Sequence, residues 1–112
     1  MNIDIDGNEI DVEVADTVIS RARGLALRRK GKMLFKFSRS TRAKIDMMLL
    51  SDPLYLYFMD AEKEIIKVQR AEPWSWDPRT WSLYSPERPY RYLLESFEDL
   101  GLEEGDSISF EN

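Results

Sequence analysis

Three tryptophans, Trp74, Trp76 and Trp81, fall within eight residues of one another. They share the stretch from Ala71 to Pro89 with Tyr84 and with Pro73, Pro78, Pro86 and Pro89. Aromatic faces carried on a loop can stack against sugars, bases or a partner's side chains, and their large area dominates the interfaces where they occur. The prolines fix φ and shrink the unfolded ensemble, so a segment this long is expected to be ordered without a regular hydrogen-bond ladder. Tyr55 and Tyr57 leave a nearby strand on the face opposite Leu54, Leu56 and Phe58, where they would complete an aromatic-lined pocket. Trp74, Trp76, Trp81, Tyr84, Tyr55 and Tyr57 are therefore the candidate ligand-binding residues, for an unknown small ligand or protein partner. The competing reading is a lid whose indoles fill the core over an open end of the sheet. A ligand surface requires at least one of the three indoles to stay partly exposed.

The second candidate chemistry is electrostatic. From Thr17 to Ile45 there are ten basic residues and no acidic one, whereas the first sixteen residues hold six acids and no base. Residues 46 to 112 hold fifteen acids and six bases, which leaves a net charge of −5. Arg21, Arg23, Arg28, Arg29, Lys30 and Lys32 are the candidate anion-binding residues, since guanidinium forks and ammonium groups hold RNA or a phosphorylated ligand. The alternative is that this segment packs against the acidic flanks in exposed ion pairs worth roughly 0–1 kcal/mol each. The acidic pI of 4.8 favours that alternative, because nucleic-acid domains are usually basic overall.

Much other chemistry is excluded. With no cysteine and no histidine there is no thiolate nucleophile, imidazole base, disulfide or zinc site of the nitrogen and sulfur type. Gly24 and Gly31-Lys32 enclose six residues where a phosphate loop has four, and Met33 stands where Ser or Thr is required. Asp4, Asp6, Asp11 and Glu13 alternate on exposed strand positions, without calcium-loop spacing. Ser75, Ser82 and Ser85 have no base to activate them. The expectation is a non-enzymatic chain with no cofactor and no metal. No apolar run approaches the ~20 residues of a membrane span, and the opening lacks a signal peptide's basic start, so the expected address is the cytoplasm. Side-chain amides are confined to Asn2, Asn8, Asn112 and Gln69, which fits a thermophile's avoidance of thermolabile residues.

The elements that must position these groups read as short strands. At 112 residues the chain is expected to be a single globular domain, 1–112. Ile3, Ile5, Ile10, Val12 and Val14 alternate with acids around Gly7-Asn8, the pattern of a half-exposed hairpin. Asp16-Thr17 caps a predicted helix of roughly 17–27, with Val18, Ile19, Ala22 and Leu25 on one face. Met33 to Phe37 reads as a strand, Ser38 to Thr41 as a turn, and Ala43 to Leu50 as another strand. Pro53 to Asp60 and Glu64 to Arg70 form a central hairpin, apolar on both faces of its first strand. Its turn lacks a glycine, so Lys63 is expected to carry about 1 kcal/mol of strain at positive φ. Tyr90 to Glu95 is a strand, Phe97 to Leu100 a helical turn, and Ile108 to Phe110 a last strand. The fold class is mainly β: a small antiparallel β-sandwich or partly open barrel of about eight short strands with one α-helix.

In this order the motifs resemble domain-of-unknown-function family 192. The marks are Ala15-Asp-Thr17, Arg21-Ala-Arg-Gly-Leu25, Lys32-Met-Leu-Phe-Lys-Phe37, Pro53-Leu54 leading to Phe58-Met-Asp60, Tyr84-Ser-Pro86, Tyr92-Leu-Leu-Glu95 and Gly105-Asp106. The resemblance implies a compact β fold and no settled activity. This chain departs from the family's Trp-Met-Lys-Asn-Thr stretch, having Asp46-Met-Met-Leu-Leu50 instead. It also has Tyr55 where an Asp usually follows Pro-Leu. The leading reading is a soluble binding or interaction domain with the Trp- and Tyr-rich loop as its ligand surface. Anion or RNA binding through residues 17–45 is the alternative, and a carboxylate-dependent hydrolase the minor one.

Overall fold

The structure, a computed structural model, describes residues 1–15 and 30–111. These residues form seven strands: β1 (Asn2–Ile5), β2 (Asn8–Asp11), β3 (Glu13–Ala15), β4 (Lys32–Thr41), β5 (Leu54–Met59), β6 (Ile65–Ala71) and β7 (Tyr90–Ser96). β1 and β2 make a small antiparallel sheet, and the rest make an open five-stranded sheet in the order β3-β4-β7-β5-β6. The fold is mainly β, two sheets without a closed barrel. It is not wholly antiparallel, because β3 pairs with β4 in parallel. The predicted helix of 17–27 lies outside the described residues.

The β1–β2 turn sits one residue earlier than Gly7-Asn8. Asp6 at φ 51° and Gly7 at φ 84° are both left-handed, the backbone that joins two twisted strands in a two-residue hairpin. The Gly7 amide donates to Asp4 Oδ1 at 2.7 Å. Ile3, Ile5 and Val12 point inward while the acids stay in water, as the alternation requires.

β5 and β7 lie at the centre and are buried along almost their whole length. Because successive side chains leave a strand on opposite faces, they feed two separate cores. Tyr57, Met59, Tyr92 and Leu94 join Ile3, Ile5, Leu102, Ile108 and Phe110 beneath the β1–β2 hairpin and the C-terminal tail. Leu54, Leu56, Phe58, Tyr90 and Leu93 join Ala15, Met33, Phe35 and Met47 on the other face. Each fully buried large apolar side chain contributes roughly 1.5–3 kcal/mol, which accounts for a strand that is apolar on both sides.

Several expectations give way to tertiary structure. Ser38 to Thr41 continues β4 through a register shift against β7 and is not a turn. Ala43 to Leu50 is no strand: it crosses the second face with one bridge, Ile45 to Tyr84. Its chain reverses where Asp46 Oδ1 accepts from the Met48 amide at 3.1 Å and Leu49 takes φ 67°. Phe97 to Leu100 is a bend without helical bonding. Ile108 to Phe110 is no strand: the tail makes only the isolated bridges Ser107 to Glu64 and Ser109 to Asp4. At the β5–β6 turn Lys63 does adopt φ 66°. Its ammonium donates to the Phe110 carbonyl and lies 4.4 Å from that ring's centroid, so the strain is offset by contacts to the tail.

Candidate functional site

The aromatic loop leaves the end of β6 and is ordered by its own polar side chains. A 3-10 turn at Pro78–Thr80 is capped by Asp77, whose carboxylate accepts from the Arg79 amide. The same carboxylate takes the Arg79 guanidinium, with Nη2 to Oδ2 at 2.6 Å, and this fork holds the Asp77 carboxyl below its usual pKa. Thr80 Oγ1 donates to the Asp77 carbonyl at 2.8 Å and accepts from the Ser75 amide at 2.8 Å. The prolines set φ and these bonds replace a ladder.

Two of the three indoles are fixed by this frame. Trp74 Nε1 donates to the Ser82 carbonyl and Trp81 Nε1 to the Ser75 carbonyl, both at 2.9 Å. Their rings stack with centroids 5.8 Å apart and planes 25° off parallel. With the polar tips satisfied inside the loop, what faces outward is apolar ring surface. Trp76 is 100% exposed and Trp81 51% exposed, so the loop is not a lid that buries its tryptophans. Only Trp74 packs against the core of the second face.

Opposite the loop, the turn after Asp46 presents Met48 and Leu49, 54% and 61% exposed. Together with Trp74, Ser75, Trp76 and Trp81 they line an open pocket of about 430 Å³. Leu49 is held at positive φ, a conformation that costs a branched residue about 1 kcal/mol or more. Large apolar side chains gathered in water in this way mark interaction surfaces. Met48 and Leu49 escaped the sequence reading because Met-Met-Leu-Leu looks like buried strand. The signal available was Asp46, a residue that favours turns by bonding the backbone two positions on.

The tyrosines do not join this pocket, which corrects the expected arrangement. Tyr55 and Tyr57 pack into the first core, across the sheet from Trp74. The loop turns instead toward the Leu54, Leu56 and Phe58 face. Tyr57 is structural: its hydroxyl accepts from the Leu100 amide at 2.8 Å and reaches Asp99 Oδ1 at 3.4 Å, and burial lifts its pKa to about 12. Tyr84 braces the loop, pairing its backbone with Ile45 at 2.8 and 2.9 Å and accepting from the Glu72 amide through its hydroxyl.

Of the candidate anion-binding residues, Arg21, Arg23, Arg28 and Arg29 lie outside the described residues. Lys30 is exposed, and Lys32 is paired with Glu98 at 3.2 Å. Further along the segment Arg42 donates to the Glu87 carbonyl at 3.3 Å, while Arg39 and Lys44 are exposed. None of the described bases in 30–45 is buried. Among the described residues no cluster of three metal-ligating side chains occurs, and no helix is long and apolar enough to cross a membrane.

One acid that the sequence reading treated only as a family mark is set apart. Glu95 on β7 is 5% exposed, and burial, reinforced by the charge of Asp46, raises its pKa to about 8.

The fold and pocket define a small open β domain with an apolar, aromatic surface site. Residues 1–110 match the model of domain-of-unknown-function family 192, described as Uncharacterized ACR, and the chain belongs to that family. It is 30% identical over 108 residues to UPF0127 proteins of Thermococcus sibiricus and Thermococcus gammatolerans, covering 89% of this chain. The chain spans 66% of the length of each of those relatives. A UPF0127 protein of Pyrococcus abyssi is 30% identical over 87 residues, 75% of this chain and 68% of its own. Two crystal structures share the fold. A protein of unknown function from Novosphingobium aromaticivorans matches with TM-score 0.80 at 20% identity, over 97% of this chain and 84% of that one. A protein described as a putative transcription regulator from Sinorhizobium meliloti matches with TM-score 0.78 at 23% identity, over 96% and 89%.

Proposed function

We propose that this chain is a binding domain, soluble and cytoplasmic, whose ligand surface is the pocket formed by Trp74, Trp76 and Trp81 with Met48 and Leu49. The observation that carries this reading is the stacked Trp74–Trp81 pair, whose indole N–H groups are satisfied by loop carbonyls so that ring faces stay bare beside a fully exposed Trp76. Rigid aromatic side chains lose little entropy on binding and anchor interfaces. The frame of Asp77, Arg79, Thr80 and Ser75 keeps them in place before a ligand arrives, which lowers the cost of association. The ligand is a small molecule or a peptide segment with an apolar group.

The test is a fluorescence titration of a panel of apolar peptides at low and high salt, on the native chain and on Trp76→Ala. Saturable binding that is insensitive to salt and weakened at least tenfold by Trp76→Ala is the expected result. The alternative, an anion or RNA site on the basic segment, draws support from exposed Lys30, Arg39 and Lys44. Mixed RNA bound with an affinity that falls steeply with salt, and unchanged by Trp76→Ala, would move the site there.

A further inference from the structure

All six residues that line the aromatic pocket are uncharged, and the polar atoms of three of them are already engaged. The indole N–H groups of Trp74 and Trp81 bond loop carbonyls. Ser75 Oγ accepts from the Asp77 amide at 3.1 Å and lies 3.2 Å from Thr80 Oγ1. Polar small molecules such as sugars are oriented by several directed hydrogen bonds, and these three side chains have little left to direct. What the pocket offers is apolar area, so the group that fills it is large and apolar.

The same surface carries such a group. Trp76 is fully exposed, and its backbone is pinned on both sides, with the Ser75 amide donating to Thr80 Oγ1 and the Asp77 amide to Ser75 Oγ. A rigid knob beside an open cleft is the arrangement that a two-fold contact requires, because each copy then presents the same self-complementary patch to the other. The cleft, at about 430 Å³, falls among sites of ~300–1,000 Å³ that enclose groups larger than one indole. Taking a whole tryptophan as up to ~250 Å², the exposed parts of Met48, Leu49, Trp76 and Trp81 come to on the order of 500 Å² per copy. A paired contact would therefore bury roughly 1,000 Å², the lower limit for a specific interface and the size of a transient one. Its centre is free of charge, as interface centres tend to be, and the ion pair of Arg79 with Asp77 lies in the loop that frames it.

We propose that the occupant of the aromatic pocket is a second copy of this chain, docked about a two-fold axis so that Trp76 of each copy enters the pocket of the other. This rests on the pocket being the binding surface. Aromatic anchors held in a pre-ordered frame supply the affinity, and a contact of this size gives a dissociation constant on the order of 10–100 µM. Each copy carries a net charge of −5, so long-range charge opposes pairing across an uncharged centre. Added salt screens that repulsion and tightens the dimer, the reverse of what an ionic contact would do.

The test is sedimentation velocity on the native chain from about 5 µM to about 1 mM, at ~50 mM and ~500 mM salt, with Trp76→Ala and Leu49→Asp alongside. The expected result is a monomer–dimer equilibrium that tightens at least twofold at the higher salt and weakens at least tenfold in each variant. Aspartate accepts the left-handed backbone of position 49, φ 67°, more readily than leucine, so Leu49→Asp keeps the fold while placing a carboxylate in the contact. Acetyl-Leu-Trp-Leu-amide should compete and dissociate the dimer. A chain that stays monomeric throughout, yet binds this peptide and loses it in Trp76→Ala, would overturn the second copy and leave the ligand surface standing. A dimer that survives both substitutions, or that loosens as salt rises, would overturn the proposal and place the self-contact elsewhere. A monomer that does not bind the peptide would overturn both readings.

Discussion

Among the described residues, Glu95 is the carboxyl whose pKa is raised, and its ionisation bears on stability near neutral pH. Its folded pKa is raised to about 8 from an ordinary 4.5, so between those values the folded state holds a proton that the unfolded state has lost. Stability from this group is therefore fully present below pH 4.5 and declines as pH rises toward 8, by up to about 1.4 kcal/mol per pH unit. Glu95→Gln mimics the neutral acid and removes the dependence. Urea melts of the two proteins from pH 5 to pH 9 should converge at the acid end and separate at the alkaline end, with the variant more stable. Parallel curves would mean that Glu95 titrates normally. At Lys63 two effects oppose each other, a left-handed backbone at φ 66° and a favourable seat over the Phe110 ring. Lys63→Ala and Lys63→Gly both remove the seat, but only glycine relieves the backbone. The glycine variant is expected to be about 1 kcal/mol more stable than the alanine variant by denaturant midpoint, and equal stabilities would count against the strain.

Within the aromatic loop, the element scale separates structure from surface. Trp74 packs on the second core, stacks on Trp81 and bonds the Ser82 carbonyl. Trp76 contributes a bare ring. Trp74→Ala should cost about 2–4 kcal/mol through lost packing and an orphaned carbonyl, whereas Trp76→Ala should stay within about 0.5 kcal/mol. Thermal melts of the two variants decide this, and a comparable loss in both would mean that Trp76 is held against something. Acrylamide should quench much of the native tryptophan emission, with the accessible fraction falling in Trp76→Ala.

For the whole molecule, few side-chain amides and relatives from Thermococcus and Pyrococcus support a thermophilic origin. We expect a midpoint above about 90 °C in a thermal melt, and one in the ordinary range of ~45–65 °C would oppose it. The two-sided burial of the central sheet is consistent with such stability, because β5 and β7 are packed on both faces. The exposed bases between Lys30 and Lys44 add little to it, since exposed ion pairs contribute roughly 0–1 kcal/mol each.

The sequence alone determined what local rules control. Alternation around Gly7-Asn8 required the first hairpin, though its turn falls one residue earlier at Asp6-Gly7; apolar or aromatic residues at every position of Leu54 to Met59 required a strand covered on both sides, and the turn without a glycine put Lys63 at positive φ. The order of motifs carried the family. Composition excluded thiol, imidazole and disulfide chemistry outright. What only tertiary structure decided is which surfaces meet. Period-two patterning fixes that Tyr55 and Tyr57 share a face but not which face the aromatic loop will cover, and that choice sent the tyrosines into one core and the tryptophans toward the other. Met-Met-Leu-Leu has the composition of a strand, yet a single side-chain bond from Asp46 and a left-handed Leu49 turn half of it outward. Glu95 reads as one more surface acid in a chain rich in them, and is a buried carboxyl on a strand that β4 and β5 flank on either side. Burial and its electrostatic consequences arise from contacts between distant segments, which no local pattern encodes.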